Sequence, residues 1–422
     1  MRVRQALSRL GAAFWTIPAV GAVLGVVFGW LAPRIDLRLG GHDGLLFGGG
    51  PDSAQAILQT VATSVLTFAG LTFSITVVAL QLASSQFSPR VLGPLLRDRW
   101  TGSALATFVG TFAYCLMVLR EVQSETAERE AFVPGLAVGL ALVLALTAIS
   151  ALVGFIQHIA QSLRVVTIID RTFRDTAAAL DAWYGGDQER AGALVEGPRR
   201  MVTARRDGVL AWYDRDALVR LAAEQDLSIE VLVPAGSWVV AGRPLLMVHG
   251  RTDEDVDADA ALGLGHERQV ARDPAYGFRL LVDIAERALS PGVNDPTTAV
   301  QCLDRIHSLL ARLAREDLAV GDTVLDGVVR LRLAVPTWED YLGLACDEIR
   351  HWGMGYLRVH RRLETMLHDL ERHVPVEREQ AVREQLAALR QVRTEEVHSS
   401  WELASTHGDP AEVHELRGPQ AR

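Results

Sequence analysis

Gln59, Thr60, Thr63, Ser64, Thr67, Gly70, Ser74 and Gln81 recur along an uncharged stretch from Ala54 to Ala83. Wound as a helix, they fall on one side, whereas Leu58, Val65, Phe73 and Val77 mostly fall elsewhere. Uncharged hydroxyls and amides can do two kinds of chemistry in such a place. They can pack helices together through hydrogen bonds worth roughly 1 kcal/mol or less each, or they can line a water-filled path. Packing is the simpler reading, because the predicted spans carry no ionisable residue of the kind that marks a proton or ion relay. In either case the ridge should face other helices or water, since acyl chains cannot hydrogen-bond.

A second set of polar residues lies between Gly277 and Ala299: Ser290, Asn294, Asp295, Thr297 and Thr298. A helix should end near Leu289, with Pro291-Gly292 turning the chain. Asp295 then caps the next helix, and Pro296 takes its first position. The positive end of that helix could hold an anion or a subunit contact, although a structural cap asks for less. His360, Glu364 and His368 share a helix face that would suit a metal in principle, but without further ligands they read as a solvated face, and no metal or cofactor is expected. Asp253, Glu254, Asp255, Asp257 and Asp259 lack the central glycine and terminal glutamate of a calcium loop and read as a solvated acidic loop.

Other chemistry is excluded by what is missing. All 42 basic residues are arginine, so a Walker-type phosphate loop, a Schiff base and a lysine-linked carrier are impossible. This bias, with abundant Ala, Gly and Val, suggests a high-GC bacterial genome. The net charge of −9 argues against nucleic acid as a partner. Cys115, Cys302 and Cys346 are far apart, which predicts buried reduced thiols rather than a disulfide framework or zinc site. The sequence contains no nucleophile–base arrangement and no glycine-rich cofactor loop, so an enzyme is the least supported class.

The elements that must position these residues divide the 422-residue chain. With 49% hydrophobic and 22% charged residues it is too apolar for disorder and too charged to lie wholly in a membrane. Four apolar runs, Gly11 to Ala32, Ala54 to Ala83, Ser103 to Leu119 and Phe132 to Ile156, are candidate spans of a hydrocarbon core about 30 Å thick. The first is too long for a secretory h-region and lacks an A-x-A cleavage site, so it reads as a retained span. Arg2, Arg4 and Arg9 precede it, and Arg90, Arg97 and Arg99 follow the second span, where they could meet lipid phosphate or a neighbouring subunit. The arginine balance places both termini on the cytoplasmic side of a bacterial inner membrane, in a multi-pass protein.

Residues 157–184 continue the fourth span as a long helix, with Ile159, Leu163, Val166, Ile169, Phe173, Ala177 and Leu180 at helical spacing. His158 at this boundary could titrate, although an interfacial histidine is commonly just amphipathic. Residues 200–250 read as a β-rich module, shaped like the small barrel-sandwich domains that carry biotin or lipoate. The hairpin tip Ala235-Gly236-Ser237-Trp238 has no lysine, so only the shape carries over. Residues 260–404 read as an α-rich domain: a half-buried strand in VVRLRLAV, then helices over Thr337–Arg350, Gly353–Arg372 and Val376–Val397. A flexible tail, 405–422, would close the chain.

The stretch G-F-R-L-L-V-D-I-A-E-R-A-L-S-P-G-V-N-D-P-T-T-A, from Gly277 to Ala299, resembles the hallmark of bacterial predicted membrane proteins grouped as domain-of-unknown-function family 2254. The resemblance extends to TFAGLTFSITVVALQLASSQFSPR (Thr67–Arg90) and to ACDEIRHWG around Cys346, and so covers nearly the whole chain. It implies four amino-terminal spans and a cytoplasmic carboxy-terminal domain, and supplies no activity. The expected fold is therefore membrane α-helical, with four transmembrane helices. A cytoplasmic α+β domain follows, made of a small β-rich, barrel-sandwich-like module and a helical carboxy-terminal part. The expected partners are the lipid bilayer and further copies of the chain in a homo-oligomer, with any small-molecule or ion ligand unidentified. Two functions compete: a homo-oligomeric channel or transport-like protein with a regulatory domain, and a membrane-anchored sensor or scaffold that binds a metabolite or protein.

Overall fold

The computed structural model describes residues 15–38, 47–86, 98–123, 132–184, 192–251, 261–265, 268–318 and 321–407, with side chains up to 82 in the second helix and 391 in the last. The chain forms two units, Met1–Thr167 and Ile168–Arg422.

The first unit is helical: α1 (Thr16–Arg38), α2 (Pro51–Gln86), α3 (Arg99–Glu121) and α4 (Gly135–Ser162). Each is long and apolar enough to cross a membrane. All four predicted runs are therefore helices, with ends shifted by a few residues. The bundle is held by small residues that let backbones approach. Gly21, Gly25 and Gly29 recur every four residues on α1 and lie against Ala106, Gly110 and Tyr114 of α3. A Cβ on Gly25 would fall 2.1 Å from the Gly110 carbonyl oxygen. Without a hydrophobic drive between helices in lipid, such close van der Waals approach is a main source of association. Leu58, Val61 and Val65 of α2 pack with Phe108, Tyr114 and Val118 of α3 and with Val138, Ala141 and Phe155 of α4.

Two polar links close the end of the bundle where α4 begins. Asp36, buried in the last turn of α1, accepts a hydrogen bond from the Leu136 amide (2.9 Å), an otherwise orphan donor in the first turn of α4. Tyr114 Oη donates to the Ala137 carbonyl (2.8 Å). The helix expected to run unbroken through 157–184 is interrupted. α4 ends at Ser162, and α5 (Val165–Tyr184) starts after a turn at Leu163-Arg164.

The second unit continues with α5, β1 (Arg199–Thr203), β2 (Gly208–Tyr213), α6 (Arg215–Glu224), β3 (Ser228–Val231), β4 (Trp238–Val239), β5 (Pro244–His249) and β6 (Leu262–Gly265). Next come α7 (Pro274–Leu289), α8 (Pro296–Leu313), β7 (Asp322–Leu325), β8 (Val328–Leu333), α9 (Trp338–Trp352), α10 (Leu357–His373) and α11 (Val376–His407). Among the described residues the strands form a sheet ordered β1-β5-β3-β8-β7, with only β3 and β8 parallel, and a smaller sheet ordered β4-β2-β6. Among the described residues these strands form no closed barrel, which corrects the barrel-sandwich expectation. After β3 the chain turns at Pro234–Gly236, where Gly236 is left-handed (φ 86°), and β4 joins the other sheet. Val329, Leu331 and Leu333 of β8 face the core, while Arg330 and Arg332 on the opposite face pair with Asp226 and Asp322. The remaining helices enclose a second core containing Phe278, Leu303, Ile306, Leu310, Tyr341, Ile349, Leu363 and Met366. Cys302 and Cys346 are free and buried there, and burial pushes the Cys346 thiol up to about 12.

Candidate functional site

The hallmark stretch builds one arrangement in the second unit. Asp273 caps α7, accepting from the Tyr276 amide (3.2 Å) and pairing with Arg268 (2.7 Å). Burial pushes its carboxyl above the ordinary range despite that arginine. One turn on, Gly277 is where α7 meets α5: a Cβ there would fall 2.0 Å from Thr176 Oγ1. Arg279 is the hub of a charge network. Its guanidinium reaches Asp283 (2.7 Å), Glu286 (3.5 Å) and, from α9, Glu348. The side chain of Glu286 also bonds Trp352. Burial and the repulsion of Glu348 push the Glu286 carboxyl above its usual range. The network joins GFRLLVDIAER to ACDEIRHW, two of the stretches on which the resemblance rests. Sequence reasoning missed it, because spacing within one helix shows Arg279 and Asp283 one turn apart but cannot show Glu348 arriving from another helix.

The structure brings Ser290, Asn294 and Asp295 of the α7–α8 loop together with Thr297 and Thr298 in the first turn of α8. Asp295 Oδ1 accepts from the Thr298 amide (3.1 Å) and its Oδ2 from the Thr298 hydroxyl (2.6 Å). Ser290 Oγ donates to the Arg287 carbonyl (2.7 Å). Asn294 takes a left-handed conformation (φ 51°), which asparagine tolerates, and the Asp295 amide then reaches back to the Ala288 carbonyl (2.7 Å). Both carboxylate oxygens of Asp295 are engaged at the helix's positive end, so an anion there would meet a negative charge already in place. Asp295→Ala should cost about 1 kcal/mol, the usual price of a lost N-cap, in thermal or denaturant unfolding. A loss restored by added phosphate would instead show an anion site.

The family model described as "Predicted membrane protein (DUF2254)" matches residues 12–369. The chain belongs to this family. This DUF2254 member is 34% identical over 370 residues to uncharacterized proteins of Mycobacterium bovis and Mycobacterium tuberculosis, covering 83% of its own length and 70% of theirs. No solved structure matches it.

In the membrane unit of this DUF2254 member, the α2 ridge faces away from the other described helices of its own chain. Gln59, Thr60, Thr63, Thr67, Gly70, Ser74 and Gln81 are exposed and Ser64 is half-buried; the side that packs inward carries Ala54, Leu58, Val61, Ala62 and Val65. Apart from Ser64, the ridge is not covered by the other described helices of the same chain. Thr60 and Thr67 donate to the carbonyls of Ala56 (2.7 Å) and Thr63 (2.9 Å), so these hydroxyls are satisfied within the helix. Gln59 and Gln81 carry amides, which bring more donors and acceptors than one carbonyl can take. Of the four spans, α2 has the smallest share of its surface covered by its own chain.

Of the arginines expected at the membrane boundary, Arg99 opens α3 and is exposed, while Arg90 and Arg97 lie outside the described residues, as do Asp253–Asp259. Beside Arg99, Asp98 caps α3 through the Trp100 and Thr101 amides and accepts from His158 Nε2 of α4 (2.8 Å). The His158 ring stacks on Trp100. Among the described residues no three His, Cys, Asp or Glu side chains converge to hold a metal, and this includes His360, Glu364 and His368.

Proposed function

We propose that this DUF2254 member is a homo-oligomeric channel or transport-like protein. In this reading the outward ridges of α2 meet between copies and line a path along their contact, and the second unit regulates it. One observation carries the reading: the second span, the least covered of the four by its own chain, turns Gln59, Thr60, Thr63, Thr67, Ser74 and Gln81 away from its own bundle. Facing acyl chains, the Gln59 and Gln81 amides would lack partners; facing other copies or water, they find them. The path would run between chains, because the interior of the single bundle is filled by apolar side chains.

Purified protein in liposomes tests this. Ion flux should be present, and Thr67→Trp or Ser74→Trp should reduce it to the level of protein-free vesicles while the chain still folds. A Thr67→Cys variant should cross-link between copies. Vesicles that remain tight, with no cross-link at Thr67, would remove the reading. The second reading, a membrane-anchored sensor or scaffold, draws its support from the Arg279 network, whose carboxylates outnumber its single cation. A well-behaved protein without flux would favour it.

A further inference from the structure

The end of the second unit where α5 begins carries exposed apolar side chains, and helix register within the unit identifies that end. Asp170 and Asp181 of α5 pair with Arg305 and Arg312 of α8, so the two helices run parallel. From Arg305 back to Pro296 is about 14 Å of helix, which brings the start of α8 level with or beyond the first turn of α5. A separate register agrees. Gly277 lies against Thr176, and α7 returns antiparallel to α8, so Leu289 lies about 18 Å further along, also at that level. α9 runs parallel to α7: Phe278 packs on Tyr341 near one end, and Glu286 bonds Trp352 near the other. The loops 290–295 and 353–356 therefore share this end, and the Tyr356 hydroxyl donates to the Leu289 carbonyl (3.4 Å) to join them.

On these loops and the helix ends beside them Val293 is 40% exposed, Trp352 49%, Met354 36% and Leu357 56%. Arg287, His351, Arg358 and Arg361 are exposed around them. The nearby acids are engaged: Asp283, Glu286 and Glu348 by Arg279, Asp295 by its cap, and Asp347 by Arg350. Only Leu163 and Arg164 separate the first residue of α5 from the last of the fourth span, so this is the end from which the chain enters the bilayer.

We infer that this end face is a lipid-docking surface: Val293, Trp352, Met354 and Leu357 enter the headgroup–acyl boundary of the membrane that the chain itself spans, and the surrounding arginines meet lipid phosphates. Tryptophan and aliphatic side chains at such a depth, ringed by arginine, fit the chemistry of an interface. The inference is independent of the α2 ridge and needs only that α4 spans the membrane.

The test uses the full-length protein in nanodiscs of phosphatidylcholine and phosphatidylglycerol, with an environment-sensitive fluorophore on Val293→Cys or Met354→Cys. The native thiols are buried, and the unsubstituted chain gives the background. Val376→Cys, beyond the far end of α10 and strongly exposed, is the control. A lipid bearing a nitroxide near its headgroup should quench the probes at 293 and 354 several-fold more than the one at 376. Arg358→Gln with Arg361→Gln should weaken that quenching. Equal quenching at the three positions would overturn the inference. So would probe–probe quenching at 293 that disappears on dilution with unlabelled protein, without lipid quenching; that result would assign the face to a second copy.

Discussion

In a Gly25→Val variant the first span should lose its seat on the third. The amino-terminal unit should then unfold in mixed detergent under conditions where the parent stays folded. The added carbons meet backbone: the Gly110 carbonyl oxygen lies 2.1 Å from where a Cβ would sit, and at Gly21 the Ala106 carbonyl oxygen lies at 2.5 Å. A side chain can rotate out of the way, but a helix backbone can only move away as a whole. The three-glycine ladder would then separate from α3 along its length. The expected loss is about 3 kcal/mol, at the upper end of what overpacked cores cost. Gly70→Val is the internal control. Nothing lies within 4 Å of a Cβ at Gly70, so that variant should leave the folding of one chain unchanged and act, if at all, on association between chains. Equal stability of Gly25→Val and the parent would refute the close-packed α1–α3 crossing.

Arg279→Ala should be the most damaging single change in the second unit. It leaves the buried Asp283 and its neighbours Glu286 and Glu348 without their common cation. Removing one partner of a buried pair costs about 3–5 kcal/mol; because Arg279 is partly reached by water, the lower end applies, about 3 kcal/mol in denaturant unfolding. Arg279→Lys should recover only part, since one ammonium cannot fork to three carboxylates. The loss should also depend on pH. The Glu286 carboxyl is already pushed above its ordinary range by burial and by Glu348. A raised folded-state pKa favours the folded protein below the unfolded value, and that advantage is lost as pH rises through the folded value. Without Arg279 the effect grows, so the gap between variant and parent should narrow as pH falls from neutrality towards the carboxylate range. A gap within about 0.5 kcal/mol at neutral pH, as for an ordinary surface change, would show that the network holds nothing together.

Much of the fold was legible because its signals are local. Uncharged runs long enough for a bilayer became helices, Pro296 after a capping aspartate started α8, and alternation in VVRLRL made β8 a half-buried strand. The glycine ladder of α1 was also visible as spacing, but its meaning depended on Ala106 and Gly110 arriving opposite it. The barrel-sandwich shape failed because strand order is not local. Nothing between Ile229 and Val239 says that β3 pairs with β5 and β8 while β4 pairs with β2. The continuous helix over 157–184 failed for the opposite reason. Hydrophobic periodicity passes through Leu163-Arg164 without interruption, and no proline or glycine marks the turn found there.

The sequence by itself determined that this family member places four apolar helices before a mixed α/β part, because hydrophobic length and periodicity act within each segment. It also determined that no lysine chemistry is available. Only the tertiary structure decided which side of the second span is left uncovered, which carboxylates gather on Arg279, and that two distant loops share one end of the second unit. Each of these is a relation between helices, fixed by how their faces fit once water and lipid have been excluded from between them. A helical pattern specifies a face but not the partner that covers it.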